Sequence, residues 1–453
     1  MSLATPGKIR DLQIKLYRKA KNEPEYRFYL LYDKIYREDI LVHAYELARA
    51  NKGAPGVDGQ SFADIESKGL GEWLTGIREE LRNKADQPQP VRRVLIPKPG
   101  GGERPLGIPS IRDRVVQTAA KLVIEPIFEA DLEPNAYGYR PKRSAQDAIR
   151  EVHELLCEGY TDVVDADLSK YFDMIPHREL MQCVARRIVD RDVLRLIKMW
   201  LTVPVEERDK NGKRRLTGGK DRHCGTPQGG VVSPMLANLY MNRLLKGWRN
   251  TKRGEQFRAR VVNYADDFVI LSRSKAKEAR EGTRQVIMRL GLTLNEAKTN
   301  IKQARKESFD FLGYTFGPHC YRKTGQRYTG ASPSKKSVAR IKQKVGDLLV
   351  PRHRGTWAEV RDRLNQILRG WSAYFSYGTR TQAYRAADNH VYDCVRHFAP
   401  QGAVARHHPL HCRRGIRRTG SSPASSSSVG ASFVSLTVKP VGKPDARKSA
   451  CPV

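Results

Sequence analysis

The stretch VNYADDFVI, residues 261–269, constrains this chain more than any other. Val261, Val262 and Tyr264 read as the end of one strand, and Phe268, Val269, Ile270 and Leu271 as the start of the next. The short polar centre between them predicts a hairpin with Asp266 and Asp267 at its tip. Paired carboxylates on a turn are ordinarily a solvated loop end. They are also a rigid cradle for divalent cations, and that reading needs further acidic side chains from elsewhere in the chain.

The segment TDVVDADLSKYFD (161–173) offers one. As a strand it places Val164, Ala166 and Leu168 on one face, and Val163, Asp165 and Asp167 on the other. If this strand neighbours the hairpin in one sheet, Asp167, Asp266 and Asp267 converge. Magnesium is a hard cation that takes oxygen ligands and shares them with substrate phosphates. Two such ions roughly 3.5–4 Å apart clamp an in-line displacement at phosphorus. One would activate a primer 3′-hydroxyl; the other would hold a triphosphate and its leaving pyrophosphate. Asp165 lies about 6–7 Å back along the strand and is expected behind the ligands or in solvent. Asp173 is expected to cap or brace the turn that follows.

Charge narrows the partner. Lys and Arg number 82 against 49 Asp and Glu, a net charge of +33 spread along 453 residues. So extensive a basic surface points to a polyanion, most simply nucleic acid. No segment has the length and apolar continuity of a membrane span, and MSLATPGKIR lacks the apolar core of a secretory signal. The seven cysteines are scattered with no C-x-x-C pair, which predicts free thiols in a reducing cytosol. His407, His408, His411 and Cys412 cluster without ligand spacing, so no metal site is assigned to them.

Residues 9–50 are rich in helix formers, and GAPGVDG (53–59) is a loop. VRRVLIPKPGGGERPLGIP (91–109) predicts a hairpin turning at KPGGGE, followed by a helix over 111–128 with Val115, Val116, Ala119, Leu122, Val123 and Ile127 on its buried face. SAQD (144–147) is a capping box. GTPQGGVVSP (225–234) is a glycine-rich loop entering a helix, with Ser233 as N-cap and Pro234 at the first helical position. Residues 275–290 form a charged helix and FDFLGYTF (309–316) a strand. Three helices are expected at 334–349, 357–377 and 380–398. On the second, Ile367, Leu368, Trp371, Tyr374 and Phe375 share one face, which core packing explains better than base stacking. Beyond residue 400 the chain turns basic and then serine-rich with no amphipathic period, which predicts disorder.

The ordered series GAPGVDG, VLIPKPGGGERPLGIP, AYGYRPKRSAQDAI, DADLSKYFDMIPH, GTPQGGVVSPMLANLYMN, NYADDFVIL, GLTLNEAKT, FDFLGYTF and LRGWSAYF resembles the reverse transcriptases encoded by bacterial group II introns. The likeness runs from about residue 35 to about residue 398, most of the chain, and motifs this long in the family's order are specific. It implies an α+β right-hand polymerase: a helical N-terminal extension (1–75), fingers and a palm with an antiparallel sheet (76–318), and a helical thumb or maturase region (330–400). The tail, 401–453, falls outside it. The implied activity is RNA-directed DNA synthesis with two Mg²⁺ ions, or Mn²⁺ as substitute. The implied partners are intron RNA, an RNA template, a DNA primer and deoxynucleoside triphosphates, in a bacterial cytoplasmic ribonucleoprotein that also splices and mobilises its intron. Oligomeric state is not legible.

The same likeness assigns roles. Asp167, Asp266 and Asp267 resemble the metal-binding catalytic triad, and the carbonyl of Leu168 adds an oxygen. Lys98 and Arg104, flanking PGGGE, resemble the fingertip cations that hold the triphosphate. Phe172 falls at the aromatic steric gate against a ribose 2′-hydroxyl, and Gln228 would lie along the nascent base pair. Lys298 resembles a lysine near the active site, and Tyr264 would support the turn and touch the primer end. Many relatives continue into DNA-binding and endonuclease segments that nothing here matches, so the chain resembles the subgroup lacking the endonuclease. A splicing-only maturase with a vestigial polymerase site is the alternative. So is a reverse transcriptase of a diversity-generating or defence system, against which LRGWSAYF argues.

Overall fold

The computed structural model describes residues 3–97, 101–208, 213–321, 324–350, 356–398 and 451–452. Lys98 and the expected tail over 401–450 lie outside them. Two compact units emerge, one of Met1–Ala148 with Asp162–Ile301, the other of Ile149–Thr161 with Lys302–Val453. In chain order the strands are β1 (Val91–Pro97), β2 (Glu103–Ile108), β3 (Asp162–Asp167), β4 (Pro204–Arg208), β5 (Arg214–Gly218), β6 (Ala259–Tyr264), β7 (Asp267–Ser272), β8 (Asn300–Gln303), β9 (Phe309–Phe311), β10 (Tyr314–Cys320), β11 (Arg327–Pro333) and β12 (Cys451–Pro452).

The first unit holds two sheets. One has the order β2-β1-β4-β5 and the other β6-β7-β3-β8. The β1–β2 pair is the expected hairpin, with Pro97 opposite Glu103. In the second sheet β7 is central and antiparallel to both β6 and β3. Its apolar face carries Val164, Ala166, Phe268 and Ile270, which join one core with Leu236 and Tyr240 of the helix Ser233–Asn250 and Ile287 of the helix Ala276–Arg289. Along β3 Val163, Val164 and Ala166 are buried while Asp165 and Asp167 are half-buried, so the period of two separates the aspartates from Val164 and Ala166.

Helices Gly7–Asn22, Glu38–Ala50 and Phe62–Arg82 form the amino-terminal part, and Ile111–Glu129 runs where periodicity predicts. The third opens on a capping box between Ser61 and Asp64. Buried polar groups fasten this region. Arg187 donates to the carbonyls of Ala20 and Glu23 at 2.6 and 3.1 Å. Asp190 accepts from the backbone N–H groups of Leu31 and Tyr32 at 2.8 and 2.9 Å while capping the helix Arg191–Leu201. The SAQD capping box also forms, with Ser144 and Asp147 bonded reciprocally at 2.9 and 3.2 Å.

The second unit contains the sheet β12-β11-β10-β9 and the helices Lys335–Leu348, Trp357–Tyr374 and Thr381–Phe398, close to the expected spans. Val360, Leu364 and Leu368 are buried along the middle helix, and Phe375 just beyond its end. The segment 309–316 is not one strand but a hairpin: Phe311 pairs with Tyr314, and Leu312 and Gly313 turn the chain at φ 49° and 79°. Two positive φ values are what a two-residue turn of type I′ requires. Leucine rarely supplies one, so its apolar character disguised the turn.

Among the described residues Cys183, Cys224, Cys320 and Cys394 are free thiols. Among the described residues no helix is long and apolar enough to cross a membrane.

Candidate active site

The aspartate turn is as tight as a hairpin permits. Tyr264 pairs with Asp267, leaving Ala265 and Asp266 as the loop. Ala265 sits at φ 59°, the left-handed region that costs a residue with a Cβ about 1–2 kcal/mol. Neighbouring groups hold it there. The Asn263 side chain, itself buried, donates to the Ala265 carbonyl at 2.8 Å. Tyr137 N–H donates to the Asn263 carbonyl at 2.8 Å, laying residues 135–138 along the edge of β6. Gly138 then packs so closely that a Cβ there would stand 2.4 Å from the Ala265 nitrogen.

On the far side of β7, Asp167 is directly opposite Asp267. Adjacent strands and a shared face thus bring Asp167, Asp266 and Asp267 together. Asp165, opposite Val269, lies one pleat back. Asp167 is itself anchored. Its carboxylate accepts from Asn295 Nδ2 at 3.0 Å and pairs with Lys298 Nζ at 3.2 Å, while its carbonyl accepts from Asn295 N–H at 2.8 Å. Leu168 bridges to Leu294 with bonds on either side of the pair rather than at it. In an antiparallel bridge of that kind, the Leu168 N–H and C=O point away from Leu294.

The carboxylates repel one another. Burial, with a smaller push from Asp167, raises Asp266, and the Arg104 guanidinium offsets part of this. Asp267 is pushed up to about 6 by crowding against protein and by Asp266, Asp167 and Asp165, with Lys298 opposing. Its folded-state value therefore lies above the unfolded value of about 3.9. The resulting destabilisation is absent below that lower pH and grows as pH rises through about 6. Asp267→Asn should accordingly raise the melting temperature of metal-free protein at pH 8 and leave it unchanged near pH 3.5. Thermal unfolding in chelator at the two pH values checks this.

Such a donor set suits a hard cation. Among the described residues no three His, Cys, Asp or Glu side chains form a preformed metal cage. Magnesium does not need one: it is commonly held by one or two carboxylates plus substrate phosphates and water.

Across from the carboxylates, Arg104 on β2 donates through Nε to Gln228 Oε1 at 3.3 Å, and Gln228 Nε2 donates to Asp173 Oδ2 at 3.1 Å. Asp173 thus braces the glutamine, where sequence suggested only a turn brace. Gly107 N–H donates to the Gln228 carbonyl at 2.6 Å, so the TPQGG loop continues the edge of β2. Gly229, at φ 108°, allows this approach; a Cβ there would meet the Gly107 oxygen at 2.0 Å. Ser233 is the first helical residue rather than the N-cap, which is Val232. Its hydroxyl instead donates to the Pro227 carbonyl at 2.8 Å and ties down the loop. Phe172 is 7% exposed, in a short helical turn whose carbonyl accepts from Thr226 N–H at 2.7 Å. Lys98 lies outside the described residues.

Sequence reasoning missed Asn263, Asn295 and Gly138, which position the aspartates. An asparagine two residues before ADD and one in GLTLNEAKT carry no general signal. Only the register shows what they hold.

Comparison with known proteins identifies two domains in this chain. Residues 96–316 match the family described as reverse transcriptase (RNA-dependent DNA polymerase), and residues 338–418 match the group II intron, maturase-specific domain. Protein YkfC of Escherichia coli (strain K12) is 36% identical over 343 residues, covering 68% of this chain and 87% of that protein. The group II intron-encoded protein LtrA of Lactococcus lactis subsp. cremoris is 33% identical over 221 residues, covering 48% of this chain and 35% of that longer protein. The putative COX1/OXI3 intron 1 protein of Saccharomyces cerevisiae is 27% identical over 330 residues, covering 61% of this chain and 38% of that one. A reverse transcriptase domain followed by a maturase domain, on a right-hand polymerase fold, places the chain in the group II intron-encoded reverse transcriptase/maturase family.

Proposed function

We propose that this protein copies RNA into DNA from a primer by a two-metal mechanism, and that it assists the splicing and mobility of its own intron RNA. The observation that carries the catalytic part is the register of β3 against β7, which sets Asp167 opposite Asp267 beside the Asp266 turn. Asp167 and Asp266 would be the main ligands, with Asp267 and the Leu168 carbonyl as further oxygens. When bound, magnesium supplies Lewis-acid activation of the primer hydroxyl and neutralises charge on the triphosphate. The protein's own part is to hold these oxygens rigidly, which the Asn295 and Asn263 hydrogen bonds do.

Arg104, with Lys98, would grip the incoming triphosphate, the guanidinium fork suiting phosphate oxygens. Gln228, held between Arg104 and Asp173, lies ready to follow the nascent base pair. Phe172 would exclude a ribose 2′-hydroxyl. Lys298, paired with Asp167, is placed to move toward the departing pyrophosphate, and Tyr264 closes the turn beside the primer end. In the second unit, Lys336, Arg340 and Lys344 recur every fourth residue on the exposed side of one helix. Such a stripe follows a phosphate backbone.

The test is extension of a DNA primer on an RNA template with deoxynucleotides, with and without Mg²⁺. Metal-dependent extension is expected, and its absence in wild-type protein would leave splicing assistance as the sole function. In the same assay Arg104→Ala should raise the nucleotide KM about tenfold or more, since a charge-assisted hydrogen bond contributes roughly 1.5–3 kcal/mol. An unchanged KM would remove Arg104 from the nucleotide site.

A further inference from the structure

Tyr139 is the residue whose conformation packing alone does not explain. It is 47% exposed, yet its backbone sits at φ 55°. An aromatic residue rarely takes that region, and such strain persists only where the surroundings over-determine it. Here they do, on both sides. Gly138 is pressed against the Ala265 nitrogen, and its carbonyl accepts from the buried Asn238 Nδ2 at 2.6 Å. Arg140 donates to the Ala136 carbonyl at 2.7 Å and to the Glu129 carboxylate at 2.7 Å. The backbone is clamped on either side of a ring left half in solvent. That ring meets Phe172 edge-on, with centroids 6.5 Å apart at 76°. Its hydroxyl lies within the electrostatic reach of Asp266 and Arg104, which raise and lower its pKa respectively beside the larger effect of burial. Tyr139 therefore stands between the aspartate turn, the fingertip cation and the phenylalanine.

We propose that Tyr139 is a positioning residue for sugar selection: its ring holds Phe172 in place against the sugar of the incoming nucleotide. This rests on the reading of Phe172 as the gate. A gate ring excludes a 2′-hydroxyl only if it cannot swing aside, and an edge-on aromatic neighbour supplies that resistance. The ring matters and the hydroxyl does not, because the contact to Phe172 is ring to ring.

The experiment measures kcat/KM for a deoxynucleotide and the matching ribonucleotide in wild type, Tyr139→Ala, Tyr139→Phe, Phe172→Ala and the double variant Tyr139→Ala/Phe172→Ala. The deoxy-to-ribo ratio should fall about three- to tenfold in Tyr139→Ala, the worth of one aromatic pair. It should hold in Tyr139→Phe. It should fall further in Phe172→Ala, and no further still in the double variant, because Tyr139 acts through Phe172. Retained deoxynucleotide incorporation by each variant shows that it is folded. A merely structural role would lower both substrates together and leave the ratio unmoved. An unchanged ratio in Phe172→Ala would remove the gate itself. A changed ratio there with an unchanged one in Tyr139→Ala would overturn only the part given to Tyr139. A fall in Tyr139→Phe as large as in Tyr139→Ala would overturn the ring-to-ring basis.

Discussion

Asp266→Ala is expected to abolish primer extension, by about a thousandfold or more, while the protein stays folded. A metal-held charge at a reacting phosphate contributes several kcal/mol to transition-state stabilisation, and each 1.36 kcal/mol is a factor of ten in rate. Asp266 occupies the second of two loop positions in a turn locked by Asn263 and Gly138, so no neighbouring carboxylate has the freedom to replace it. The substitution also removes repulsion with Asp167 and Asp267, so thermal stability at neutral pH should hold or rise. That pairing of lost activity with kept stability separates a catalytic carboxylate from a structural one. RNA binding should persist, since the substitution leaves the Lys336, Arg340 and Lys344 stripe untouched. Retained extension by Asp266→Ala would refute the role.

Gly138→Ala should also lower activity, by about a hundredfold, without touching any of the three aspartates. An added Cβ would stand 2.4 Å from the Ala265 nitrogen and 3.0 Å from its Cβ, so the aspartate turn or the 135–138 segment must move. Overpacking of this kind costs about 1–3 kcal/mol of stability. A displacement near 1 Å at a reacting centre costs about a hundredfold in rate. Gly247→Ala is the control. It lies within the helix Ser233–Asn250 with nothing within 4 Å of its would-be Cβ. It should leave activity intact and stabilise the helix by roughly 0.5–1 kcal/mol. Equal activity in the two variants would show that the turn does not need its Gly138 buttress.

What the sequence made legible was local. The aspartate hairpin and the β1–β2 hairpin could be read because alternating strand residues flank short polar turns. The SAQD box and the helix over 111–128 follow from spacing within one turn or one face. Asp167 could be paired with Asp266 only by assuming that two strands far apart in the chain are neighbours, and the β3–β7 register supplies that. What stayed hidden depends on long-range placement. Asn295 reaches Asp167 from 128 residues away, and Gln228 reaches Asp173 across 55. Neither polar residue announces its partner by spacing. The Leu312–Gly313 turn was obscured because an apolar residue occupies a left-handed position. The helix begins one residue before the start that Ser233 as N-cap predicts, because the TPQGG loop takes the Ser233 hydroxyl and Val232 stands at the cap.

The most direct measurement of the central idea is metal binding itself. Mn²⁺ can be followed by electron paramagnetic resonance in wild type, Asp167→Asn and Asp266→Asn, each with primer–template and a non-incorporable deoxynucleotide. The wild-type complex should take up Mn²⁺ with a signal broadened by protein carboxylates, and each variant should lose that uptake beyond what the nucleotide binds alone. Identical uptake and spectra in all three proteins would contradict it.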